Sequence, residues 1–161
     1  MVSRAREVVA SVVDPEMPML TLEDLGVIRS VSEDGTAVSV TITPTYSGCP
    51  AVEEMRADVR RSLEAAGYAH VQVRTVFSPA WSTDWISAAG RRKLAEAGIA
   101  PPGRAPSGPV VLSLAPPSAQ VRCPRCGAPG TEEISRFGPT ACTSLRRCPA
   151  CREPFEHMKE I

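Results

Sequence analysis

Two Cys-x-x-Cys pairs near the end of the chain constrain its fold most strongly. The first pair is Cys123 and Cys126, and the second is Cys148 and Cys151, with 21 residues between the pairs. This spacing is typical of a four-cysteine zinc site, in which each pair gives two thiolates to one tetrahedral ion. A module of roughly 40 residues buries too little apolar surface to fold without such support. The sequence therefore predicts a structural zinc ribbon, although the same ligands could hold a rubredoxin-like iron.

A fifth cysteine, Cys142, lies between the two pairs and is the alternate ligand. It could be a spare buried thiol, a reactive thiol or a replacement for one of the four, and His157 is a competing spare ligand. Because four thiolates already fill a tetrahedral shell, we predict that Cys142 lies outside it. A closed shell also leaves no open position, so the ion is predicted to be structural and not catalytic.

Composition narrows the class of protein. The 161 residues include 18 basic and 18 acidic side chains, and this zero net charge argues against a cationic nucleic-acid or membrane binder. No apolar run reaches the length of about 18 residues that spans a bilayer, and the first residues lack the apolar stretch of a signal peptide. We therefore predict a cytoplasmic protein, in which clustered cysteines bind metal rather than form disulfides.

A proline-rich segment predicts the division of the chain. Residues 101–117 contain six prolines and two glycines, which is typical of a linker, with a short extended piece at 110–114. The predicted domains are therefore 1–100 and 119–161, joined by a linker at 101–118.

Hydrophobic periodicity predicts an α+β fold for the first domain, with about three strands in a small sheet and helices packed on it. A Cys-pair ribbon with two strands of its own follows. The predicted helices are 4–13, 50–66 and 87–97, and the predicted strands are 26–32, 36–43, 71–77, 131–137 and 142–147.

The sixth cysteine, Cys49, is the most informative residue of the first domain. Gly48 precedes it and Pro50 follows, and proline suits the first position of a helix. Cys49 is therefore predicted at or beside a helix N-cap, where unpaired amides favour a thiolate that could bind iron or attack electrophiles. The alternative is a small buried residue that happens to precede a helix.

Polar residues in two neighbouring loops could accompany this thiol. Asp14 and Glu16 flank Pro15 and could bind a hard metal or the amides at the helix start. Alternatively, Asp14 caps local backbone and Glu16 is solvated. Thr45 supplies a hydroxyl close to Cys49 in sequence, although threonine is ordinary in turns.

Both tryptophans, Trp81 and Trp85, lie in a Ser/Thr/Pro-containing loop after the third strand. They could form a docking surface for a partner or cover the hydrophobic core.

Several motifs together resemble the metal–sulfur cluster biosynthesis family, and the appended ribbon with its Phe-Gly-Pro-Thr-Ala-Cys segment is similar to the PaaD type of accessory subunit. The resemblance extends over nearly the whole chain except the linker. The matching segments are Asp14-Pro15-Glu16, Asp24-Leu25-Gly26-Val27-Ile28, Thr43–Pro50, Pro79-Ala80-Trp81 and Phe137–Cys142.

This resemblance implies an accessory role in the phenylacetyl-CoA epoxidase system of aerobic phenylacetate breakdown. It implies that Cys49, and less firmly Asp14 and Glu16, assist assembly of an iron or iron–sulfur centre. The implied partners are the oxygenase and reductase subunits and iron–sulfur assembly proteins. The chain has no flavin, nicotinamide or di-iron carboxylate motif, so it is not expected to be the oxygenase itself.

Other functions remain open on the residues alone. The chain could be a non-catalytic structural or adaptor subunit with an inert Cys49 and a docking ribbon, or a general iron–sulfur cluster carrier. A nucleic-acid-reading ribbon is disfavoured because acidic residues offset its arginines. A thiol–disulfide enzyme is disfavoured because that chemistry uses a single Cys-x-x-Cys at a helix start.

Overall fold

The computed structural model describes residues 3–105 and 120–161. The chain divides into two compact units, Met1–Gly90 and Arg91–Ile161, each with one sheet. The predicted α+β class is confirmed. The predicted domain boundaries at 100 and 118 stay predictions, and the extended piece expected at 110–114 lies outside the described residues.

The first unit contains a three-stranded sheet in the order β1-β2-β3, with β1 antiparallel and β3 parallel to β2. All three strands were predicted from their alternation. Its elements are α1 (Arg4–Ala10), β1 (Ile28–Asp34), β2 (Ala37–Ile42), α2 (Val52–Ala65), β3 (His70–Thr75) and a 3-10 turn (Thr83–Trp85). Helix α3 (Ala88–Glu96) begins in the first unit and continues past Gly90 into the second.

Helix α1 is shorter than the sequence predicted. It begins after Ser3, whose side chain accepts a hydrogen bond from the Arg6 amide, and it ends at Ala10 instead of residue 13. The reason is tertiary pairing, because Val13 forms an isolated antiparallel bridge with Thr21 and must be extended. This bridge closes the loop that carries Asp14.

The core of the first unit lies between the sheet and its helices. Val38, Val40 and Ile42 alternate as buried residues along β2, and α2 buries Met55, Val59 and Leu63 at helical spacing. Helix α2 packs on β3, and α1 packs on β1 and α2. Burial of each such side chain contributes about 1.5–3 kcal/mol, so this contact fixes α2 against the sheet.

The two tryptophans differ in burial, because Trp81 covers the core whereas Trp85 is half-buried. The Trp81 indole is 4% exposed and donates a hydrogen bond to the Leu25 carbonyl at 2.9 Å. Trp85 lies against Gly26, and the Arg29 guanidinium lies 3.6 Å from the centroid of the Trp85 ring.

The second unit contains a four-stranded sheet in the order β4-β7-β6-β5. The sequence predicted β5 and β6 but missed β4 and β7, and the predicted boundary at residue 100 places β4 in the first domain. Strand β4 runs parallel to β7, while the other pairs are antiparallel. The strands are β4 (Ile99–Ala100), β5 (Glu132–Ser135), β6 (Thr143–Arg147) and β7 (Pro154–Met158).

A membrane-spanning helix was not expected. Within 3–105 and 120–161, no helix combines the length and the apolar character that crossing a bilayer requires.

The contact between Gly26 and Trp85 generates a stability prediction. Gly26 has φ +69°, and a Cβ atom there would lie 2.5 Å from the Trp85 carbonyl oxygen. We expect Gly26→Ala to lower the free energy of unfolding by about 2–4 kcal/mol, because left-handed strain and overpacking add. Urea unfolding followed by tryptophan fluorescence measures this.

Gly35→Ala is the matched control. Gly35 also has a positive φ, +57°, but nothing lies within 4 Å of the added methyl group. We expect a loss of only about 1 kcal/mol, from the backbone conformation alone. Equal losses for the two variants would contradict the proposed role of the Trp85 contact.

Candidate functional site

The four cysteines of the two pairs form one cluster in the second unit. Their Sγ atoms all lie within 4.8 Å of one another, and no other group of three or more potential ligands occurs in the described residues. The Cys123 and Cys151 sulfurs are 3.7 Å apart, and those of Cys126 and Cys148 are 3.6 Å apart. Tetrahedral bonds of about 2.3 Å from sulfur to zinc would separate the sulfurs by about 3.8 Å. The donor set therefore fits a tetrahedral thiolate-bound ion.

The two cysteine turns have the same backbone geometry. In the first turn, the Gly127 amide donates to the Cys123 carbonyl at 2.9 Å, and in the second the Arg152 amide donates to the Cys148 carbonyl at 2.9 Å. Gly127 and Arg152 both have positive φ, +74° and 65°. Glycine adopts a positive φ readily, whereas an arginine in the equivalent place gives no sequence signal for this reversal.

A buried arginine anchors the first turn to the sheet. Arg146, 6% exposed, donates to the hydroxyl and carbonyl of Thr131 at 3.1 and 2.7 Å. The Thr131 hydroxyl in turn donates to the Val121 carbonyl at 2.7 Å. The chain entering and the chain leaving the first turn are therefore both tied to β6.

The electrostatics of the cluster favour a bound cation. The backbone amide of Cys151 donates to the Cys148 sulfur and lowers the pKa of that thiol to about 7. The Glu153 amide acts to lower the pKa of Cys151, but burial and the neighbouring sulfurs raise it to about 12. One negative charge thus forms easily, whereas further charges need a cation between the sulfurs.

Cys142 and His157 lie outside this cluster. The Cys142 thiol is buried, with its sulfur 3.0 Å from the Thr140 hydroxyl. His157 is also buried, and its Nε2 atom lies 3.4 Å from a carboxylate oxygen of Glu160. Neither side chain therefore joins the four sulfurs.

Cys49 lies in the loop between β2 and α2 and is 8% exposed. Its amide donates to the Tyr46 carbonyl at 3.3 Å, and its carbonyl accepts from the Val52 amide at 3.4 Å. This turn precedes the helix, so α2 begins at Val52 and the predicted start at Pro50 is wrong. Ala51 is the N-cap and makes no side-chain capping bond. The thiol is thus near the helix start but one turn ahead of it.

The parallel pairing of β2 and β3 determines which edge of the sheet carries Cys49. The carboxyl ends of parallel strands meet at one edge, and ligands commonly bind outside these ends. Thr43 follows β2 directly and Thr75 ends β3, and each has a buried hydroxyl oxygen without a hydrogen-bond partner in the described structure. Thr43 is 1% exposed. The sequence offered no signal for this, because hydroxyl residues are ordinary at strand ends.

Asp14 holds its own loop together. It is 2% exposed, and its Oδ1 atom accepts hydrogen bonds from the amides of Glu16 and Met17 at 2.9 and 2.7 Å. Burial raises the pKa of Asp14 above its usual value, although these two bonds oppose the shift. Burial and the charge of Asp14 raise the pKa of Glu16. The structure thus gives Asp14 the capping role that the sequence analysis kept as its alternative.

The roles predicted for Asp14, Glu16 and Thr45 beside Cys49 stay predictions. Thr45 is buried, but no group of three potential ligands in the described ranges includes Cys49, Asp14 or Glu16.

Comparison with known proteins agrees with the two-part architecture. Residues 3–74 match the family described as iron-sulfur cluster assembly protein, and residues 107–159 match the PaaD zinc beta ribbon domain. A crystal structure of a domain of unknown function, DUF59, from Bacillus anthracis is 26% identical. The structural alignment covers 56% of this chain and 88% of the Bacillus anthracis chain, with a TM-score of 0.52.

Two relatives have names that refer to function. An Fe-S protein maturation auxiliary factor of Porphyromonas gingivalis is 39% identical over 80 residues, which are 48% of this chain and 74% of the relative. The provisional D subunit of the 1,2-phenylacetyl-CoA epoxidase of Escherichia coli K12 is 45% identical over 148 residues. That match covers 92% of this chain and 86% of the relative. The chain therefore belongs to the family of 1,2-phenylacetyl-CoA epoxidase D subunits.

Proposed function

We propose that this protein is an accessory maturation subunit of a phenylacetyl-CoA epoxidase, and that it delivers iron or an iron–sulfur cluster to the epoxidase through Cys49. The observation that carries the proposal is the 45% identity to an epoxidase D subunit over 92% of the chain. The assembly-protein match over residues 3–74 supports the part that concerns iron. Its partners would be the oxygenase and reductase subunits, together with iron–sulfur assembly proteins.

The geometry of Cys49 supports transient and not permanent binding of the metal. Since the described residues offer no three-ligand set around Cys49, this chain would supply one thiolate and other proteins would supply the remaining ligands. A cargo held by one protein ligand passes readily to a client with more ligands. The Thr43 hydroxyl, buried without a partner at the same sheet edge, is a further polar group available there.

The lack of a three-ligand set around Cys49 in the described residues also suits a second candidate function. A chain that gathers no ligands around Cys49 could instead be a non-catalytic adaptor, in which Cys49 only fills space below the loop. The two candidates differ in whether the thiol itself is required. A general iron–sulfur carrier would need the thiol but would not be restricted to the epoxidase.

We further propose zinc as the resident ion of the ribbon. Cys123, Cys126, Cys148 and Cys151 would hold it, and the ion would supply the positive charge that lets all four sulfurs ionise. Four sulfurs at tetrahedral spacing with no open position suit zinc in a structural role. The cytoplasmic location expected from the sequence is consistent with reduced cysteines, since none of the six forms a disulfide.

The zinc proposal predicts different metal contents for two cysteine variants. Cys126→Ser should lose most of its zinc, and its second unit should unfold because metal binding supplies the folding free energy of so small a module. Cys142→Ser should retain one zinc per chain, because Cys142 lies outside the cluster. Elemental analysis and the dispersion of amide NMR signals measure the two properties. The reverse pattern would show that the ligand assignment is wrong.

The hydrogen bonds of Asp14 predict a structural role for that carboxylate. Asp14→Ala should lower the free energy of unfolding by about 1–2 kcal/mol, because the Glu16 and Met17 amides lose their acceptor. Asp14→Asn keeps an acceptor and removes a buried charge, so at pH 7 it should be at least as stable as wild type. As the pH falls through the raised pKa of Asp14, the stability of wild type should rise relative to that of Asp14→Asn. The reason is that the folded state binds the proton at a higher pH than the unfolded state does.

Urea unfolding at several pH values checks these stabilities. Asp14→Asn should also support epoxidation as wild type does. A folded Asp14→Asn protein that fails to support epoxidation would instead make Asp14 a ligand of the cargo.

The maturation proposal predicts that Cys49 carries the function and not the fold. Cys49→Ser should cost about 1 kcal/mol of stability or less, since serine is similar in size. It should nevertheless fail to restore growth on phenylacetate in cells that lack the native gene. The oxygenase subunits should be present in those cells but poor in iron, as measured on the purified complex.

Cys142→Ser is the matched control, because Cys142 is also buried and lies outside the zinc cluster. It should restore growth and iron content fully. Full restoration by Cys49→Ser as well would exclude the maturation mechanism, and the adaptor function would then be favoured.

A further inference from the structure

Phe137 is the most exposed large hydrophobic side chain among the described residues. It is 70% exposed and lies in the loop between β5 and β6. Exposed aromatic rings are enriched among the residues that anchor protein interfaces.

The backbone around Phe137 is held in place. The Ser135 hydroxyl donates to the Phe137 carbonyl at 2.9 Å and accepts from its amide at 3.2 Å. The Gly138 amide donates to the Thr143 carbonyl at 2.9 Å, and a Cβ at Gly138 would lie 2.3 Å from the Thr143 hydroxyl. Because the loop is fixed on both sides of the ring, binding would cost little conformational entropy there.

Two cationic side chains accompany Phe137, since Lys159 lies over its ring and Arg136 precedes it in the chain. The Lys159 ammonium lies 4.5 Å from the ring centroid and donates to the Ala141 carbonyl at 2.8 Å. Arg136 is exposed, and it forms no ion pair within the part of the chain that the structure describes. We call the side chains of Arg136, Phe137 and Lys159 the Phe137 surface.

A cavity of about 310 Å³ adjoins this surface, and all three of its residues line it, together with the buried His157. The two acidic side chains in its wall already have partners. Glu133 lies 3.6 Å from the Arg146 guanidinium, and Glu160 accepts from the Gly103 amide at 2.9 Å. The hydrogen bond with His157 lowers the pKa of Glu160 to about 2. Arg136 and Lys159, which also line the cavity, form no ion pair within the described residues, so their positive charges are left unbalanced there.

The second unit as a whole is also positively charged, like the side chains of Arg136 and Lys159. Arg91–Ile161 contains 11 basic and 6 acidic side chains, a formal charge of +5, although the complete chain is neutral. Such a field favours encounter with an acidic surface.

We propose that the Phe137 surface docks an acidic segment of a protein partner. An apolar side chain of the partner packs on the Phe137 ring, and carboxylates pair with Arg136 and Lys159. A protein segment fits better than a nucleic acid, because Arg136 and Lys159 are only two cations, fewer than a run of backbone phosphates needs, while the exposed Phe137 ring offers an apolar contact. The choice of the epoxidase oxygenase subunits as the partner rests on the proposed function.

The test measures binding of the full-length, zinc-loaded chain to the purified oxygenase subunits of its own epoxidase by calorimetry. Phe137→Ala and Arg136→Glu should each raise the dissociation constant about tenfold or more. Added salt should weaken the binding of wild type. Ile134→Ala is the matched control, since Ile134 is an exposed apolar residue, 55% accessible, on β5. It should bind within about twofold of wild type. All three side chains are exposed, so zinc content and unfolding should stay as in wild type.

Three outcomes would overturn the docking proposal. These are wild-type affinity in both Phe137→Ala and Arg136→Glu, no binding of wild type to the oxygenase subunits, and tighter binding to a single-stranded oligonucleotide than to these subunits. The Cys49→Ser variant separates this proposal from the maturation function. It should dock as wild type does and still fail to support epoxidation. If it supports epoxidation while Phe137→Ala loses binding, the maturation function fails and the docking surface stands.

Discussion

The second unit holds the sulfurs of four cysteines close together, and thiolates this close repel one another unless a cation lies between them. Four sulfurs lie within 4.8 Å of one another, and two of their residues, Cys123 and Cys148, also belong to the buried cluster with Ala100, Val121 and Phe155. The small hydrophobic core and the sulfur cluster therefore share residues, and ionising more than one of the sulfurs without a cation would strain both. Arg146 adds a second tie, because it connects the first cysteine turn to β6 through Thr131. A bound cation thus stabilises the sheet as well as the cluster.

The first unit places the thiol of Cys49 in the loop between β2 and α2, and no group of three potential ligands in the described residues includes it. Parallel pairing of β2 with β3 requires the α2 crossover, and the loop that begins this crossover carries Cys49. Asp14 shapes its own loop through backbone amides. The buried Thr43 hydroxyl, which has no hydrogen-bond partner in the described structure, precedes the loop of Cys49 directly after β2.

Sequence periodicity predicted the features that depend on local pattern. The three strands of the first unit, the helix behind Cys49 and the four-cysteine cluster all follow from alternation, helical spacing or cysteine spacing. Two strands that depend on tertiary pairing were missed. Strand β4 has only two residues, too few for a pattern, and β7 is defined by its pairing with β4 and β6 and not by a clear alternation of polar and apolar residues. The start of α2 was misplaced because a turn at Cys49 precedes the helix. The burial of the Thr43 hydroxyl without a hydrogen-bond partner in the described structure could not be predicted, because it depends on which groups the fold places around Thr43.

Strand β4 matters for anyone who wishes to express the ribbon alone. Ile99 and Ala100 pair with Glu156 and His157 and cover one side of β7, although they precede the first cysteine pair by more than 20 residues. A polypeptide that begins at residue 119 would leave this side of β7 bare, and bare strand edges recruit strands from other molecules. Its aggregation would then be mistaken for a failure to bind zinc. A polypeptide that begins at Arg91 keeps β4 and avoids this artefact.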